Sequence, residues 1–388
     1  MKSVYLDYAA TTPLEPRVLE AMMPYLVSEY GNASSVHSFG QRARKGVERA
    51  RRQVADVLAC DPHEVIFTGS GTEADNLAIM GVAESYAKER GRHIITTSVE
   101  HHAVSETFEA LKERGFEVTF LPVDSYGRLN LDQLAQAITP ETSLVSVIHG
   151  NNEIGTLQPA AAIGELCRSK GVLFHLDAVQ TVGQLRVKVP ELQCDLLSLA
   201  AHKFYGPKGV GALYLKRGVR LKPQIHGGAQ ERGIRAGTEN VPAIVGLGAA
   251  IALAEEEREE SYHRELALRD RLINGLLQLP DVLLNGHPIE RLPNNCNVSI
   301  LWVEGESILL ALDLQGVAAS SGSACTSGSL EPSHVLLGLG LDHSTAHGSL
   351  RLTVGKETSD ADIDYVLEVL PPIIDRLRRL SPIWPGPR

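Results

Sequence analysis

Several short apolar runs in this 388-residue chain end on polar residues of types that carry chemistry. Ligands of open α/β sheets sit at the carboxyl ends of strands, so the residues just after each run matter first. Val65–Thr68 is followed by Gly69, Ser70, Gly71, Thr72 and Glu73. Small residues opening a helix let backbone N–H groups reach a phosphate, with the helix dipole adding to the attraction. The same residues also suit a plain strand-to-helix turn with Thr72 as N-cap. After His93–Ser98 come Glu100, His101 and His102, where a histidine is either a ligand, a stacking ring, an acid–base group, or a satisfied strand-end residue. Ser143–His149 leads into Asn151, Asn152 and Glu153, where the amides serve a site or only form Asx-turns. Val172–Leu176 is followed by Asp177 and Gln180; Asp177 is a helix cap or a charge facing a bound cation. Asp195–Leu199 is followed by Ala200, Ala201, His202 and Lys203. A lysine there fits a Schiff-base role, which needs an amine deliverable in neutral form. A turn lysine before Gly206-Pro207-Lys208-Gly209 is the bland alternative.

The conjunction decides between these readings. A phosphate cradle, a ring-stacking His, an Asn, an Asp, a Gln and a Lys, all at strand ends, match the needs of pyridoxal phosphate. Its phosphate needs a helix N-terminus, its pyridine nitrogen an anion, and its aldehyde a lysine. A second signal is the stretch Ser320 to Ser329, in which every residue except Ala324 and Cys325 is Ser, Thr or Gly. Core packing does not explain such a stretch, whereas a nucleophile that must travel suits it. Cys60, Cys167, Cys194 and Cys296 lie in or beside helical or apolar segments and read as inert packing residues. Arg351, inside the run Leu350–Leu352, is either paired structurally or holds a substrate carboxylate bidentately; an amino-acid substrate favours the second.

These residues need a scaffold that brings strand ends together. Seven β-branched runs, the last at Gly209–Leu215, alternate with helical segments such as Glu73–Arg90, Ala103–Arg114 and Ala160–Lys170. That pattern predicts an α/β fold with a mostly parallel seven-stranded sheet covered on both faces. Only His202–Lys208 separates the last two strands, too short for a crossover helix, so the last strand should run antiparallel. We expect an N-terminal arm at 1–15, a large cofactor-binding domain at 16–255 and a smaller α+β domain at 256–388. In the last part Asn295–Leu301 and Ser349–Val354 read as strands, Ser307–Leu314 and Asp360–Leu380 as helices. Composition excludes other classes. With 37 basic and 47 acidic residues the net charge is −10, which argues against nucleic acid or an anionic membrane as partner. No Cys-x-x-Cys pair exists and five cysteines are few for this length, so zinc ribbons and disulfide frameworks are not expected. No targeting segment is read at the N-terminus, and the apolar run Val241–Ala254 is too short to span a bilayer. A cytoplasmic protein is the expectation.

The motifs are similar to those of one family. Tyr5-Leu6-Asp7-Tyr8-Ala9-Ala10-Thr11-Thr12-Pro13, Gly31-Asn32 with Ser34, Ser35 and His37, and Asn151-Asn152-Glu153-Ile154-Gly155 stand in its order. So do His202-Lys203, Gly206-Pro207-Lys208-Gly209, Glu231-Arg232-Gly233, Gly237-Thr238 and the Cys325 stretch. The chain resembles the cysteine desulfurases of the NifS/IscS type, pyridoxal-phosphate enzymes of the class-V aminotransferase family with the aspartate-aminotransferase fold. The resemblance implies removal of sulfur from L-cysteine, giving L-alanine and a persulfide on Cys325 that passes to acceptors for iron–sulfur cluster assembly. It implies that Lys203 forms the Schiff base, Asp177 faces the pyridine nitrogen and Gln180 the phenolic oxygen. Asn152 would lie near that oxygen and the substrate, and His101 would stack on the ring and move protons. Gly71, Thr72 and His202 would hold the phosphate, and Thr238 the phosphate of the neighbouring subunit of a homodimer. Arg351 and Asn32 would hold the cysteine carboxylate. The one metal-linked candidate is Cys325, as a transient iron–sulfur ligand through its persulfide. The C-terminal stretch through Leu380-Ser381-Pro382-Ile383-Trp384 resembles the nitrogen-fixation branch. Position 200, Ala here, is usually Ser in the family, a lost phosphate donor worth about 1.5–3 kcal/mol if nothing replaces it. Position 33, Ala here, is commonly Pro. Rival readings are a selenocysteine lyase or other enzyme of the same fold, and a non-enzymatic sulfur carrier or scaffold.

Overall fold

The computed structural model describes residues 3–321 and 331–386. In chain order the elements are β1 (Val4–Tyr5), α1 (Pro16–Val27), α2 (Ser38–Leu58), β2 (Val65–Thr68), α3 (Gly71–Tyr86), β3 (His93–Thr97) and α4 (His102–Glu113). Next come β4 (Glu117–Leu121), α5 (Leu131–Ala137), β5 (Thr142–Ile148), α6 (Ala160–Lys170), β6 (Leu173–Asp177), α7 (Val189–Leu192), β7 (Leu196–Ala200) and β8 (Gly211–Leu215). Then follow α8 (Val241–Leu276), β9 (Val282–Leu284), β10 (Asn295–Ile300) and α9 (Gly305–Asp313). The last are β11 (Val317–Ala318), α10 (His334–Gly338), α11 (His343–His347), β12 (Ser349–Thr353) and α12 (Asp360–Leu380).

Seven strands form the main sheet in the order β2-β8-β7-β6-β5-β3-β4. Pairs from β7 through β4 are parallel, and β8 is antiparallel to both its neighbours, as the short connection before it requires. Strands β2, β3, β5, β6, β7 and β8 are buried along their whole length, which is why their sequences read as apolar runs rather than alternations. Apolar side chains pack on both faces: Val47, Val54, Phe174 and Leu247 on one, Ile66, Leu77, Phe108 and Leu213 on the other. Helix α6 stops where Gly171 takes a left-handed conformation (φ 68°), a cap that costs glycine no steric strain.

A second, antiparallel sheet runs β12-β10-β9, and the arm adds a parallel pair, β1 with β11. Strands β1 and β9 are too short to show a sequence period. The expected cut between 255 and 256 falls inside helix α8, which runs unbroken from Val241 to Leu276. Its first half packs Ile244, Leu247 and Ile251 with the large sheet, its second half Leu268, Leu272 and Leu276 with the small one. We propose the change of core along this helix as the boundary. No helix among the described residues is long and apolar enough to cross a membrane.

One buried ion pair ties the edge of the main sheet to the loop before α8. Arg51 of α2 meets Glu231 through Nη2–Oε1 at 2.7 Å and Nη1–Oε2 at 2.9 Å. Arg51 also donates to the Val65 carbonyl (2.6 Å), and Glu231 accepts from the Phe67 amide (2.9 Å). Removing one partner strands a buried charge. Glu231→Ala should therefore lower stability by about 3–5 kcal/mol in urea unfolding. A loss under about 1 kcal/mol would show that the pair does not hold this edge.

Candidate active site

The carboxyl ends of β2, β3, β5, β6 and β7 open into a cavity of about 550 Å³. Its walls include Gly71, Thr72, His101, Asn152, Asp177, Gln180, His202, Lys203 and Arg351. These nine sequence candidates therefore meet in one place. Asn32 and Thr238 do not line it. Both are exposed, and the Asn32 side chain accepts from the Ser34 amide at 2.9 Å in a local turn. Within one chain Asn32 thus stands apart from the residues expected to share its role. Cys325 lies outside the described residues.

Helix α3 presents its first turn to the cavity, where backbone N–H groups lack intrahelical acceptors. Its N-cap is Ser70, which accepts from the Glu73 amide (3.0 Å); the alternative cap, Thr72, is a first-turn residue. A Cβ on Gly71 would meet Val179 Cγ2 at 2.8 Å and Ala200 Cβ at 3.2 Å, so only glycine lets the helix start this close to β7. Glu73 accepts from Gly69 N (2.9 Å) and from Arg235 Nε (2.7 Å), fixing the turn.

Lys203 follows β7 in a single 3-10 turn, and its Nζ donates to the carbonyls of Ala9 (2.5 Å) and Ala10 (2.9 Å). Gln180 Nε2 also donates to the Ala9 carbonyl (2.9 Å). No side-chain signal in the sequence could have announced these carbonyls. Burial, followed by the Lys203 charge, pushes His101 down to about 4. Its Nδ1 accepts from the Ala103 amide (3.1 Å), so the neutral ring carries its proton on Nε2. Burial and then the Lys203 charge push His202 down to about 4 as well.

Asp177 is buried, its Oδ1 accepting from the Val179 amide (3.0 Å). Burial raises it to about 6, against the pull of Lys203. Asp75, which the sequence reading passed over, lines the same wall, and burial and then Asp177 raise it far above the usual carboxylate range. Its signal was an acid four residues into a helix whose neighbours Ala74, Leu77 and Ala78 are all buried. Arg351 donates from Nη1 to the Asn152 carbonyl and from Nη2 to Asp7, both at 2.9 Å. Three buried atoms on the cavity wall have no hydrogen-bond partner: Asn152 Oδ1, Asp75 Oδ1 and Arg351 Nε.

Backbone N–H groups for a phosphate, a buried acid, a lysine and orphaned polar atoms fit pyridoxal phosphate as the occupant. No group of three or more His, Cys, Asp or Glu side chains that could hold a metal occurs among the described residues. The described cysteines are not suited to attack. Burial pushes Cys60, Cys167 and Cys296 up to about 12 and raises Cys194 too. At pH 7.5 iodoacetamide should label these four over 100-fold more slowly in the native protein than in urea, by peptide mapping. Rapid native labelling of any of them would contradict this reading.

Comparisons with known proteins agree with the geometry. The family description "Aminotransferase class-V" matches residues 4–366. A "Cysteine desulfurase IscS" of Methanosarcina thermophila is 52% identical over 99% of this chain and 95% of its own. A solved structure titled "NIFS-LIKE PROTEIN" superposes with a TM-score of 0.90 at 39% identity, covering 97% of this chain and 99% of that one. Another, "SspA in complex with cysteine", gives 0.82 at 36% identity over 91% of this chain and 99% of its own. With a full-length family match and relatives above half identity, the chain belongs to the class-V aminotransferase family, among its pyridoxal-phosphate-dependent cysteine desulfurases of the NifS/IscS type.

Proposed function

We propose that this chain takes the sulfur of L-cysteine as a persulfide on Cys325, releases L-alanine, and hands the sulfur to an acceptor protein for iron–sulfur cluster assembly. The observation that carries the reading is that the residues after the Cys325 stretch line the cavity and Ser320 before it is tied to the wall residue Arg351. Ser320 exchanges backbone hydrogen bonds with Arg351 (2.7 and 3.2 Å), and Glu331, Pro332, Ser333 and His334 line the cavity. The bound cysteine in the SspA structure supports the substrate.

Bound pyridoxal phosphate supplies an electron sink for the substrate's α-carbon. This chain's own groups do the rest. The α3 N-terminus with Thr72 and His202 would hold the phosphate, and Asp177 would supply the negative charge that the ring nitrogen needs. Gln180 and Asn152 would hold the cofactor's phenolic side, and the neutral His101, with its proton on Nε2, would support the ring and move a proton. Arg351 binds the α-carboxylate, with its Nε in want of an acceptor. Lys203 Nζ carries the proton lost from Cα and returns it. The Cys325 thiolate attacks the substrate sulfur, the carbon–sulfur bond breaks with its electron pair left on carbon, and protonation gives alanine.

We assign a homodimer on two grounds. Leu19, Met23, Leu26 and Val27 form an outward apolar stripe on α1, continued by Tyr30 and Val36, with Val36 89% exposed. Thr238 stands outside its own chain's cavity, as a residue serving the neighbour would. A low, odd count of five cysteines and a net charge of −10 suit a reducing cytoplasm and a protein acceptor. The nitrogen-fixation branch rests on the C-terminal stretch alone.

Holoenzyme given L-cysteine and a reducing thiol should yield equal amounts of alanine and sulfide. Cys325→Ala should keep the cofactor's visible colour and lose at least 100-fold in sulfide release; full release would sink the assignment. Sedimentation should show a dimer, and Leu26→Asp with Tyr30→Asp should shift it toward monomer; an unchanged dimer would place the interface elsewhere.

A further inference from the structure

Glu153 has no part in the reaction above, although it lines the cavity and is 5% exposed. It sits between two structures that handle substrate. On one side Ser333 Oγ, the N-cap of α10, accepts from Leu336 N (3.3 Å) and donates to Glu153 Oε2 (2.5 Å). On the other, Arg351 reaches the backbone of the preceding residue, Asn152. Amides of Asn295 and Asn297 fix the Glu153 carbonyl at 3.1 and 3.0 Å, so the residue cannot retreat.

We infer that Glu153 couples binding of the substrate's α-carboxylate to uptake of one proton, losing its negative charge when that carboxylate reaches Arg351. This rests on the assignment of Arg351 as the carboxylate anchor. The argument is one of charge count. Arg351 already pairs with the Asp7 carboxylate and its charge also reaches Glu153, so a substrate carboxylate would be the third to draw on one guanidinium. Asp7 keeps 22% of its side chain in solvent. Glu153 has no such relief, so the neutral form is the cheaper outcome there. The other charged and titratable groups near it do not change this. Arg291 spends Nη2 on the Ile154 carbonyl, His334 bonds the Glu100 carbonyl, and Glu331 on the cavity wall adds negative charge.

Burial raises Glu153 to about 7, against the Ser333 hydrogen bond and the Arg351 charge. Substrate at Arg351 screens that charge and raises Glu153 further. The sign follows: below about pH 7 Glu153 is neutral and the carboxylate binds tightly, and affinity falls as pH rises through and beyond that value.

The test compares two ligands on the holoenzyme, read by perturbation of the cofactor's visible band. L-Alanine carries the carboxylate and L-alaninol lacks it, so the ratio of their affinities cancels titration of the cofactor and differs between the ligands only through amine titration, which free-ligand pKa values correct. For a coupling of one pKa unit the corrected ratio should fall about sixfold from pH 6.5 to 8.5. In Glu153→Gln it should stay flat, and in Ser333→Ala the midpoint should move to higher pH. A flat ratio in the unmodified enzyme, or an equal slope in Glu153→Gln, overturns the inference. Absence of L-cysteine turnover would sink the proposed function instead; a flat ratio with turnover intact sinks this inference alone.

Discussion

The site depends on one charge. Lys203 stands at the end of a buried strand, where an ammonium without oxygen partners would be costly. The carbonyls of Ala9 and Ala10 supply two of them. Those carbonyls belong to the arm, and the arm is held from the other side: β1 pairs with β11, and the Ala9 amide donates to Thr353 Oγ1 (2.9 Å). Thr12 completes the tie by donating to the His202 carbonyl and accepting from the Tyr205 amide. The lysine is thus fixed only when the large sheet, the arm and the small sheet have all met. The site is a product of tertiary assembly rather than of any local motif.

The same cavity concentrates negative groups away from water. Burial raises Asp177 and Asp75 on its wall and Glu100 close by, whose charge bears on Asp75, and Lys203 is the cation that pulls Asp177 back. His175 does not help, since burial pushes it down to about 3 and its ring bonds Ser146 and Ser198. A protein pocket with surplus buried acid is preorganised for a cationic guest, and the protonated ring nitrogen of pyridoxal phosphate is one. Ala200 belongs to the same balance. This chain leaves the Ala200 methyl group against Gly71. The Ser70 hydroxyl, which accepts from Glu73, still has a proton to donate toward the cavity.

Much of this was legible in the sequence because parallel strands announce themselves. Val65–Thr68, Ala160–Lys170 and Asp360–Leu380 are legible to the residue, the first as an unbroken apolar run and the helices by their period, each with a marked end. Helix α2 was not singled out, because its buried stripe is made of Gly40, Ala43, Gly46, Val47 and Ala50 among many arginines and carries little hydropathy contrast. Lys203, Asp177 and Gln180 were readable as strand-end residues. Asp75 is not, and Glu153 stands at a strand end without a readable role, since the importance of both lies in burial and in charges brought from distant segments. Asn32 shows the converse. It stands in a family motif, yet one chain places it on the surface.

The central claim is that sulfur leaves L-cysteine onto Cys325 beside this cavity. The most direct measurement is a single turnover with L-cysteine labelled at sulfur, followed by mass spectrometry of the peptides without reduction. The account predicts one labelled sulfur per active chain, as a persulfide on the peptide containing Cys325, matched by one alanine. Label found on Cys60, Cys167, Cys194 or Cys296, or released as sulfide with no persulfide on Cys325, would contradict it.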